Sequence, residues 1–392
     1  MKILLVSGTL SNRVQEELFE QNVSYGFAVQ KFFHLFIDGC RTNDIEVEAL
    51  TMMPIAQKQA PFRFKRIKKE IDDNISYRYV PFIRNTIFYH LFAFVYVFVN
   101  VFFWCVKNRG ESYVCYDVLI PNRCLATMLG AILGRTKTIA IVTDMPGMSG
   151  ERQIHYNEMG ILGKLQMKSI YRSSYFVFLT EQTNNVLNPY NRPYIIVEGI
   201  VSLNIKTTKV EKNRTRDILY AGGIVESYGL GILCEAFMRL DDKNLRLIFY
   251  GNGPFVKRIK EYALLDTRIE YRGTAMNDVI VEAEKKATLL VNPRFTGADY
   301  TLYSFPSKNI EYMVSGTPLV TTKLAGIPED YMSYIYIFEE ETIEGYKETL
   351  NRILLNTDED ISEFGLNAQQ YILNNKNSTV QVGRIKNMIK NI

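Results

Sequence analysis

Residues 304–322 read SFPSKNIEYMVSGTPLVTT, and this stretch contains a helical pattern, a break and a strand in direct succession. The first part is amphipathic with a helical period. Gly-Thr-Pro then interrupts the pattern, and residues 318–322 form a short apolar run. A helix that leads through a tight break into a buried strand is the repeating unit of an α/β domain.

The same alternation extends along the rest of the chain. In the first half, strands are predicted at residues 2–7, 46–50, 116–121, 138–143, 175–180 and 194–197. A second series is predicted at residues 217–221, 245–250, 269–272, 287–293, 318–322 and 334–338. Helical patterns lie between them, notably at residues 23–40, where Gly39 is expected to end the helix, 231–240 and 255–265. The continuous apolar runs indicate strands buried on both faces, as in parallel sheets. We therefore predict an α/β protein of two doubly wound domains that face each other across a cleft.

Composition shifts along the chain place the domain boundaries. Residues 203–216 are polar and basic without a hydrophobic period, which predicts a linker. The domains are then residues 1–202 and residues 217–372. Residues 373–392 are expected to form a C-terminal helix that packs back on the N-terminal domain.

Charge and cysteine content exclude several classes of protein. The chain has 392 residues and a net charge of +4, and residues 1–200 hold 22 Lys and Arg against 17 Asp and Glu. This excess is too mild for a nucleic-acid binder but suits contact with an anionic surface. The five cysteines show no metal-binding spacing, so we expect no disulfide framework, no zinc site and a reducing, cytoplasmic compartment.

The most apolar segment is residues 86–106, TIFYHLFAFVYVFVNVFFWCV. Its length approaches the roughly 20 residues that span a bilayer. A single crossing would put strands 2–7 and 116–121, which are expected to share one sheet, on opposite sides of the membrane. We therefore predict a crossover helix with excess apolar surface that docks on a bilayer or a partner. The alternative is a fully buried core helix.

A basic segment precedes this run. Residues 61–70, PFRFKRIKKE, interleave Phe62, Phe64 and Ile67 with five basic residues, namely Arg63, Lys65, Arg66, Lys68 and Lys69. This pattern is typical of an interfacial segment that meets anionic lipid head groups. A solvated loop face is the alternative.

Two glycine turns follow strands in the second half. Gly222-Gly223 follows residues 217–221, and Gly251 and Gly253 follow residues 245–250. Such glycines let backbone N–H groups approach an anionic ligand, although turn glycines without function are equally common. The GxGxxG fingerprint is absent at both places, which argues against a nicotinamide or flavin enzyme.

The opening stretch supplies charged candidates. Arg294 follows the strand at residues 287–293, and either Ser304 or Ser307 is expected to cap the helix that carries Lys308 and Glu311. A lysine near a helix N-terminus is locally unfavourable unless an anion such as a diphosphate is bound there. Glu311, one turn further, suits hydrogen bonds from ribose hydroxyls. The alternative is an ordinary surface Lys–Glu pair.

These motifs, in this order, resemble a known family. YAGGI, FYGNGP, NPR and SFPSKNIEYMVSGTPLVTTKLAGIPE are similar to the C-terminal domain of family 4 glycosyltransferases of the GT-B fold, in particular the bacterial polysaccharide-assembly enzymes. KILLVSG, YDVLIP, VTDMPG, FLTEQ and IIVEG match the layout of the N-terminal domain. The resemblance covers essentially the whole chain and is most specific over residues 217–329.

The resemblance implies a retaining, metal-independent transfer of a sugar from a UDP- or GDP-linked donor. The donor would bind Gly222, Gly223, Gly251, Gly253, Arg294, Ser307, Lys308 and Glu311, without any other cofactor. The acceptor, expected to be a lipid-linked oligosaccharide, would bind the N-terminal domain. The protein would then lie peripherally on the inner face of the plasma membrane. The sugar, the linkage and the oligomeric state are left open.

This chain departs from the family pattern at informative positions. The family has two glutamates separated by seven residues; Glu311 matches the second, and Tyr303 replaces the first. The family's Gly-Arg and Lys-Gly pairs correspond to Gly222-Gly223 and Tyr228-Gly229, so Arg294 and Lys308 are expected to supply the missing cations. Tyr303 is retained as a catalytic candidate.

The second catalytic candidate lies in the N-terminal domain. Asp144 ends the strand at residues 138–143, where it could orient or deprotonate an acceptor hydroxyl; a simple turn role ahead of Pro146 is the alternative. The chain's DxD spacing occurs at residues 358–360, in a polar stretch remote from any strand end, so no metal site is predicted. Two other functions remain open: a sugar-nucleotide epimerase-like enzyme, and a non-catalytic GT-B partner subunit.

Overall fold

The computed structural model describes residues 1–56, 58–149, 152–153, 156–203, 205 and 210–391. The chain forms two compact units. Unit 1 comprises residues 1–202 and 377–392, and unit 2 comprises residues 203–376. Relative to the predicted boundary at residue 372, unit 2 therefore extends four residues further, to Lys376.

Unit 1 contains twelve strands and six helices in the described part of its N-terminal segment. Its strands are β1 (Lys2–Ser7), β2 (Glu46–Thr51), β3 (Phe64–Lys65), β4 (Glu70–Asp72), β5 (Ile75–Tyr79), β6 (Phe82–Ile83), β7 (Ser112–Asp117), β8 (Lys137–Val142), β9 (Met148–Ser149), β10 (Arg152–Gln153), β11 (Tyr175–Phe178) and β12 (Tyr194–Ile196). Its helices are α1 (Asn12–Glu20), α2 (Phe27–Thr42), α3 (Thr86–Lys107), α4 (Pro121–Leu133), α5 (Ile161–Tyr171) and α6 (Glu181–Leu187), with a 3-10 turn at Tyr156–Glu158.

The main sheet of unit 1 has the order β12-β11-β8-β7-β1-β2-β5-β4. All neighbours are parallel except the β4–β5 edge pair. The order changes direction at β1, so the loops after β1 and β7 flank a topological switch point, where doubly wound sheets bind ligands. The strand predicted at residues 116–121 begins and ends four residues earlier in the structure, at Ser112–Asp117. Pro121 cannot belong to this strand, because it begins α4.

Helix α2 differs from its prediction for a reason of packing. It begins after Gly26 and continues through Gly39 to Thr42. A β-carbon on Gly39 would lie 2.2 Å from the carbonyl oxygen of Ser378, so this glycine allows close contact between helices and does not end one. Gly39 is therefore a packing residue.

Helix α3 exposes most of its apolar surface. Within the described residues it is the single helix whose length and hydropathy would suffice for a membrane crossing, and 28% of that stretch is buried. The buried side packs on α4, where a β-carbon on Gly130 would lie 2.9 Å from Val101. The alternative of a fully buried core helix is therefore wrong. The exposed apolar residues, which we call the α3 stripe, are Ile87, Phe88, Leu91, Phe92, Val95, Val99, Phe103 and Val106.

Unit 2 repeats the doubly wound plan in its described residues. Its strands are β13 (Arg216–Ala221), β14 (Leu245–Tyr250), β15 (Ile269–Tyr271), β16 (Leu289–Asn292), β17 (Leu319–Thr322) and β18 (Tyr336–Phe338). Its helices are α7 (Leu230–Phe237), α8 (Val256–Leu265), α9 (Asn277–Lys286), α10 (Asp299–Tyr303), α11 (Ser307–Ser315), α12 (Ile343–Leu354) and α13 (Asp358–Asn375), with 3-10 turns at Glu226–Tyr228 and Glu329–Tyr334.

The sheet of unit 2 is parallel, with the order β15-β14-β13-β16-β17-β18. This is the 3-2-1-4-5-6 order of a Rossmann fold, with its switch point between β13 and β16. Both sheets confirm the predicted α/β class with two Rossmann-like domains.

The predicted linker is shorter in the structure. Residues 204 and 206–209 lie outside the described residues. Lys212 already belongs to unit 2, because its ammonium donates to the carbonyls of Lys285 and Ala287 and to the Thr317 hydroxyl, at 2.8 to 3.0 Å. Arg216 is the first residue of β13. Burial of Lys212 lowers its pKa to about 8, which marks this residue as an anchor and not as part of a solvated linker.

The last helix, α14 (Ser378–Lys390), belongs to unit 1. It packs on α2, and the Asn43 amide donates to the Thr379 carbonyl at 2.9 Å. A backbone bridge joins Val201 to Asn377, and Gln381 donates to the Gly199 carbonyl at 3.0 Å. The chain therefore leaves unit 1 after residue 202 and returns to it at residue 377.

Candidate functional site

The carboxyl end of β13 is the centre of the candidate site in unit 2. Gly222 and Gly223 follow β13 directly, and Arg294 lies two residues beyond the end of β16. Since β13 and β16 are the two strands on either side of the switch point, these residues lie at the sheet edge where doubly wound domains bind ligands.

The two glycine turns lie against each other. The Gly222 N–H donates to the Tyr250 carbonyl at 3.0 Å. A β-carbon on Gly251, whose φ is +133°, would lie 1.8 Å from the Gly222 carbonyl oxygen. At Gly253 a β-carbon would lie 2.2 Å from the Ile224 carbonyl oxygen. Glycine is therefore required at 251 and 253 for close backbone packing.

This packing corrects the role predicted for most of these glycines. The N–H groups of Gly222, Gly251 and Gly253 all donate to acceptors within unit 2. In the described part of the chain, the Gly223 N–H is the one of the four for which no protein acceptor is found. Gly223 is also exposed, so its amide is the backbone group that remains available to a bound anion.

Arg294 provides the positive charge of this edge. Its guanidinium carbon lies 4.1 Å from the centre of the Tyr228 ring. That ring is in turn 3.5 Å from the position of a β-carbon on Gly223. The Nε atom of Arg294 is buried, and the described residues offer it no hydrogen-bond acceptor. A buried guanidinium N–H without an acceptor favours an oxygen ligand that the protein alone does not supply.

Helix α11 is fixed to the same edge by Tyr312, which sequence reasoning missed. The Tyr312 hydroxyl accepts the Ala221 N–H at 2.7 Å and donates to the Ala221 carbonyl at 3.0 Å. The side chain is fully buried, and burial raises its pKa well above the usual value, so the hydroxyl stays neutral and can do both. Tyr312 thereby holds α11 beside the last residue of β13.

The expected caps of α11 are wrong. The residue preceding the helix is Pro306, and neither Ser304 nor Ser307 caps it through a side chain. Ser304 instead follows α10, and its hydroxyl donates to the Tyr300 carbonyl at 2.9 Å. Ser307 is the exposed first residue of α11. Its hydroxyl is therefore not used in capping.

Lys308 and Glu311 form an ion pair on α11. Their charged atoms are 2.9 Å apart, and about a third of each side chain is exposed. Lys308 also lies 5.9 Å from the ring centre of Tyr312. This geometry matches the alternative of an ordinary surface Lys–Glu pair. Tyr312 nevertheless places the pair next to the carboxyl end of β13, where the candidate site lies.

Two further buried side chains connect this region. Asn309 on α11 accepts a hydrogen bond from the Asn292 amide at the end of β16, at 2.6 Å. Tyr303 ends α10, half-buried, four residues before Ser307. The two glycine turns of unit 2, Gly222-Gly223 and Gly251 to Gly253, therefore lie in direct contact. Arg294 is linked to them through the Tyr228 ring, and α11 is linked to the same edge through Tyr312.

Asp144 lies in unit 1, two residues after β8. The carboxyl is exposed, yet nearby protein atoms displace part of its hydration and Asp117 adds negative charge, which together raise the pKa of Asp144 to about 6. Its exposure favours a smaller shift, because water that reaches the carboxyl stabilises its charge. Asp117 itself pairs with the fully buried Arg123, a residue that no sequence motif singles out.

The basic segment of unit 1 needs one correction. Arg63, Arg66, Lys68 and Lys69 are exposed, as an interfacial segment requires. Lys65 differs, because its ammonium pairs with Glu17 and lies over the Phe62 ring, 4.9 Å from the ring centre. Lys65 is held in the β3–β6 pair and is not available to a lipid head group.

Comparison with known proteins identifies the second unit. The sequence model described as glycosyl transferases group 1 matches residues 215–356. Residues 215–356, which we call the group 1 domain, are therefore similar to that family. That domain spans β13 to α12, and it includes every residue of the candidate site in unit 2.

Two curated relatives of the chain are named as sugar transferases. The gpi3 subunit of phosphatidylinositol N-acetylglucosaminyltransferase from Schizosaccharomyces pombe is 20% identical over 298 residues, which cover 72% of this chain and 62% of the relative. The putative colanic acid biosynthesis glycosyltransferase WcaL from Escherichia coli is 29% identical over 119 residues, or 29% of each chain. The matches therefore span less than two thirds of the length of either curated relative.

The architecture agrees with that of solved structures, among them the lipopolysaccharide outer core galactosyltransferase WaaB, at a TM-score of 0.63 and 13% identity. The crystal structure of Anabaena HepE in complex with UDP superposes with a TM-score of 0.65 at 11% identity, and the match covers 100% of both chains. The group 1 domain and unit 1 are thus the two Rossmann-like domains of a GT-B fold. Among the described residues, no three His, Cys, Asp or Glu side chains gather in a manner suited to a metal ion.

Proposed function

We propose that this protein is a glycosyltransferase that moves a sugar from a nucleoside diphosphate donor, UDP- or GDP-linked, to a glycan acceptor in polysaccharide biosynthesis. The observation that carries this proposal is Arg294. It lies at the switch point of the group 1 domain and is linked to Gly223 through the Tyr228 ring, and within the described residues neither its buried Nε–H nor the Gly223 amide has a protein acceptor. A diphosphate oxygen would supply that acceptor.

The diphosphate leaving group determines which charge the site must stabilise. When the bond between the sugar and the diphosphate breaks, the bonding electrons stay on the diphosphate, and its new charge needs stabilisation. Arg294, Lys308 and the Gly223 N–H are the groups proposed for this task. Glu311 is proposed to accept the ribose hydroxyls, and Asp144 to orient or deprotonate the acceptor hydroxyl. We further propose that the reaction retains the anomeric configuration and needs no metal.

A substitution at Arg294 tests the donor role. Arg294→Gln should weaken donor binding about 10- to 100-fold, since a hydrogen bond to a charged group contributes about 1.5–3 kcal/mol. The measurement is calorimetric titration of UDP and GDP sugars. Arg258→Gln is the matched control, because Arg258 also lies over a tyrosine ring in unit 2 but pairs with Glu261. Equal donor affinity in the two variants would overturn the role of Arg294.

The acceptor is proposed to be lipid-linked and the protein peripheral at the cytoplasmic face of the plasma membrane. Two features of unit 1 support this: the α3 stripe, and the exposed cations of the basic segment, Arg63, Arg66, Lys68 and Lys69. Helix α4 packs on α3 and exposes Leu129, Ile132 and Leu133 as well. Exposed apolar patches of this kind mark interaction surfaces, and the cations suit anionic lipids.

Tyr303 favours a second candidate, a non-catalytic GT-B partner subunit, because a tyrosine stands where the resemblance places a carboxylate. Donor hydrolysis by the purified protein distinguishes the two. Hydrolysis that persists in EDTA supports metal-independent transfer, and hydrolysis abolished by EDTA contradicts metal independence. No turnover of any UDP or GDP sugar, with donor binding intact, supports the partner subunit.

A further inference from the structure

A groove of about 350 Å³ opens on unit 1 beside the last turns of α3. Its walls include Glu46 and Glu48 at the start of β2 and Asn74 before β5. These are the amino ends of parallel strands, so the groove lies away from the sheet edge that carries Asp144. It is therefore separate from the acceptor region proposed above.

The groove carries an excess of positive charge. Lys69, Arg78 and Lys107 line it, and in the described part of the chain none of the three forms an ion pair with a carboxylate. Arg78 is oriented by a 2.6 Å hydrogen bond to the Asn100 side chain. The cations are thus available to an anionic ligand.

The acids of the groove are already occupied. The Lys2 ammonium binds Glu46 at 2.8 Å and Glu48 at 3.1 Å. Glu48 also accepts the indole N–H of Trp104 at 3.1 Å. Lys2, hydrogen-bonded to Glu48, contributes to holding the pKa of that carboxyl below its usual value. With Lys2 included, four cations face two carboxylates, and the groove remains net positive.

An apolar path leads into this groove along α3. Phe92, Val95, Val99, Phe103 and Val106 recur at helical spacing along the stripe, over about 21 Å at 1.5 Å per residue. Phe103 belongs to both features, since it is 64% exposed and also lines the groove. A ligand with an anionic head and a long apolar chain would match both surfaces at once.

We propose that this groove binds the phosphate group of an anionic membrane lipid whose chain lies along the α3 stripe. The proposal rests on the membrane contact suggested under the proposed function and names the lipid group that would fix it. Lys69, Arg78 and Lys107 contact the phosphate, and Phe103 separates the head group from the apolar chain. Arg63, Arg66 and Lys68 of the basic segment contribute general attraction to the membrane, whereas Lys69 belongs to the groove and to its defined site.

Two variants of equal charge test the site. The groove variant is Lys69→Gln, Arg78→Gln and Lys107→Gln; the control is Arg63→Gln, Arg66→Gln and Lys68→Gln. Calorimetry uses dihexanoyl phosphatidylglycerol below its micelle concentration, and glycerol 1-phosphate as the chain-free probe. We expect saturable binding of one lipid per protein, weakened at least about 10-fold in the groove variant and retained in the control. Equal losses in both variants, or glycerol 1-phosphate binding as tightly as the lipid, overturn the proposal.

Vesicle sedimentation separates this inference from the proposed function. If the parent protein binds phosphatidylglycerol vesicles and the groove variant binds them equally well, the groove site alone is wrong. If the parent fails to bind any vesicle, both the membrane role and the groove site are wrong. Sedimentation velocity tests whether a second copy of the chain covers the α3 stripe. If the parent protein is a dimer and Phe103→Ser is a monomer, the stripe is a dimer interface and the lipid site is wrong. Donor affinity, measured on unit 2, should be the same in all of these variants.

Discussion

For single residues, the resemblance to family 4 glycosyltransferases predicts a cation at residue 228, where this chain has Tyr228. Arg294, from another strand end, lies on the Tyr228 ring, and we propose that it supplies this charge. The local motif shows only that a cation is missing at residue 228. The replacement becomes visible when β13 and β16 are adjacent in the sheet, because the two positions are 66 residues apart in the chain.

A substitution at Glu311 tests donor binding independently of the stability of the fold. Glu311→Gln breaks a partly exposed ion pair on one helix, which costs at most about 0.5 kcal/mol in the free energy of unfolding. Donor affinity should fall about 10-fold or more if Glu311 binds the ribose. Urea unfolding and calorimetry measure the two quantities. Glu261→Gln is the control, since Arg258 and Glu261 form the same kind of i,i+3 pair on α8, with the cation near a tyrosine ring. Unchanged donor affinity in Glu311→Gln would contradict the ribose role.

Asp144 predicts a pH dependence of transfer. With its pKa raised from 3.8 toward about 6, the carboxylate that would accept a proton is populated only above that range, so the rate should rise from about pH 4 to about pH 7. Asp144→Asn should flatten this rise and lower the rate about 100-fold or more. Glu20→Gln, an exposed change on α1, should keep the parent profile.

The same pKa fixes the sign of the effect of Asp144 on stability. Because its folded-state pKa is raised, the protonated carboxyl stabilises the fold below about pH 4, and this contribution is lost as the pH rises through about 6. Solvent screening of the exposed side chain keeps the effect small. A rate profile that is identical in Asp144→Asn and the parent would remove Asp144 from the reaction.

Among the elements, the strands with continuous apolar runs were predictable, whereas the alternating strand β5 was not. The strand predicted at residues 245–250 coincides with β14. β5 was missed, although Ile75, Tyr77 and Tyr79 are buried at alternate positions, because Ser76 and Arg78 interrupt the apolar run. The α3 helix was predictable from composition, but which of its faces is covered depends on α4, and no local pattern encodes that contact.

Gly39 illustrates the same limit and provides a test. Locally, a glycine near the end of a helical pattern indicates a C-cap; here it makes room for α14, more than 300 residues away in the chain. Gly39→Ala should lower the free energy of unfolding by about 1–3 kcal/mol, because the added methyl group has no space. Gly297→Ala, where a β-carbon meets open space, should change it by less than about 0.5 kcal/mol in the same urea titration. Equal effects would show that α2 and α14 can separate without cost.

At the scale of the whole molecule, unit 1 is built from two separate stretches of chain. Helix α14 buries Val382, Ile385 and Ile389 in unit 1. Complete burial of three such side chains stabilises a fold by about 5 kcal/mol or more, comparable to the whole stability of a domain.

Deletion of residues 377–392 should therefore unfold unit 1 and spare unit 2. Hydrogen exchange followed by mass spectrometry should show protection lost in β1, β2 and β7 but kept in β13, β14 and β16. Val382→Ala with Ile385→Ala is the milder comparison, expected to weaken protection in the same strands of unit 1. Protection kept throughout unit 1 after the deletion would show that α14 is dispensable.

The return of the chain to unit 1 also sets an order for biosynthesis. A ribosome that reads this message releases all of unit 2 before it makes α14, the closing piece of unit 1. Unit 2 can therefore fold while unit 1 still lacks its last helix. Until translation reaches residue 390, the surface of α2 that α14 covers, including Gly39, stays exposed and is a natural client for chaperones.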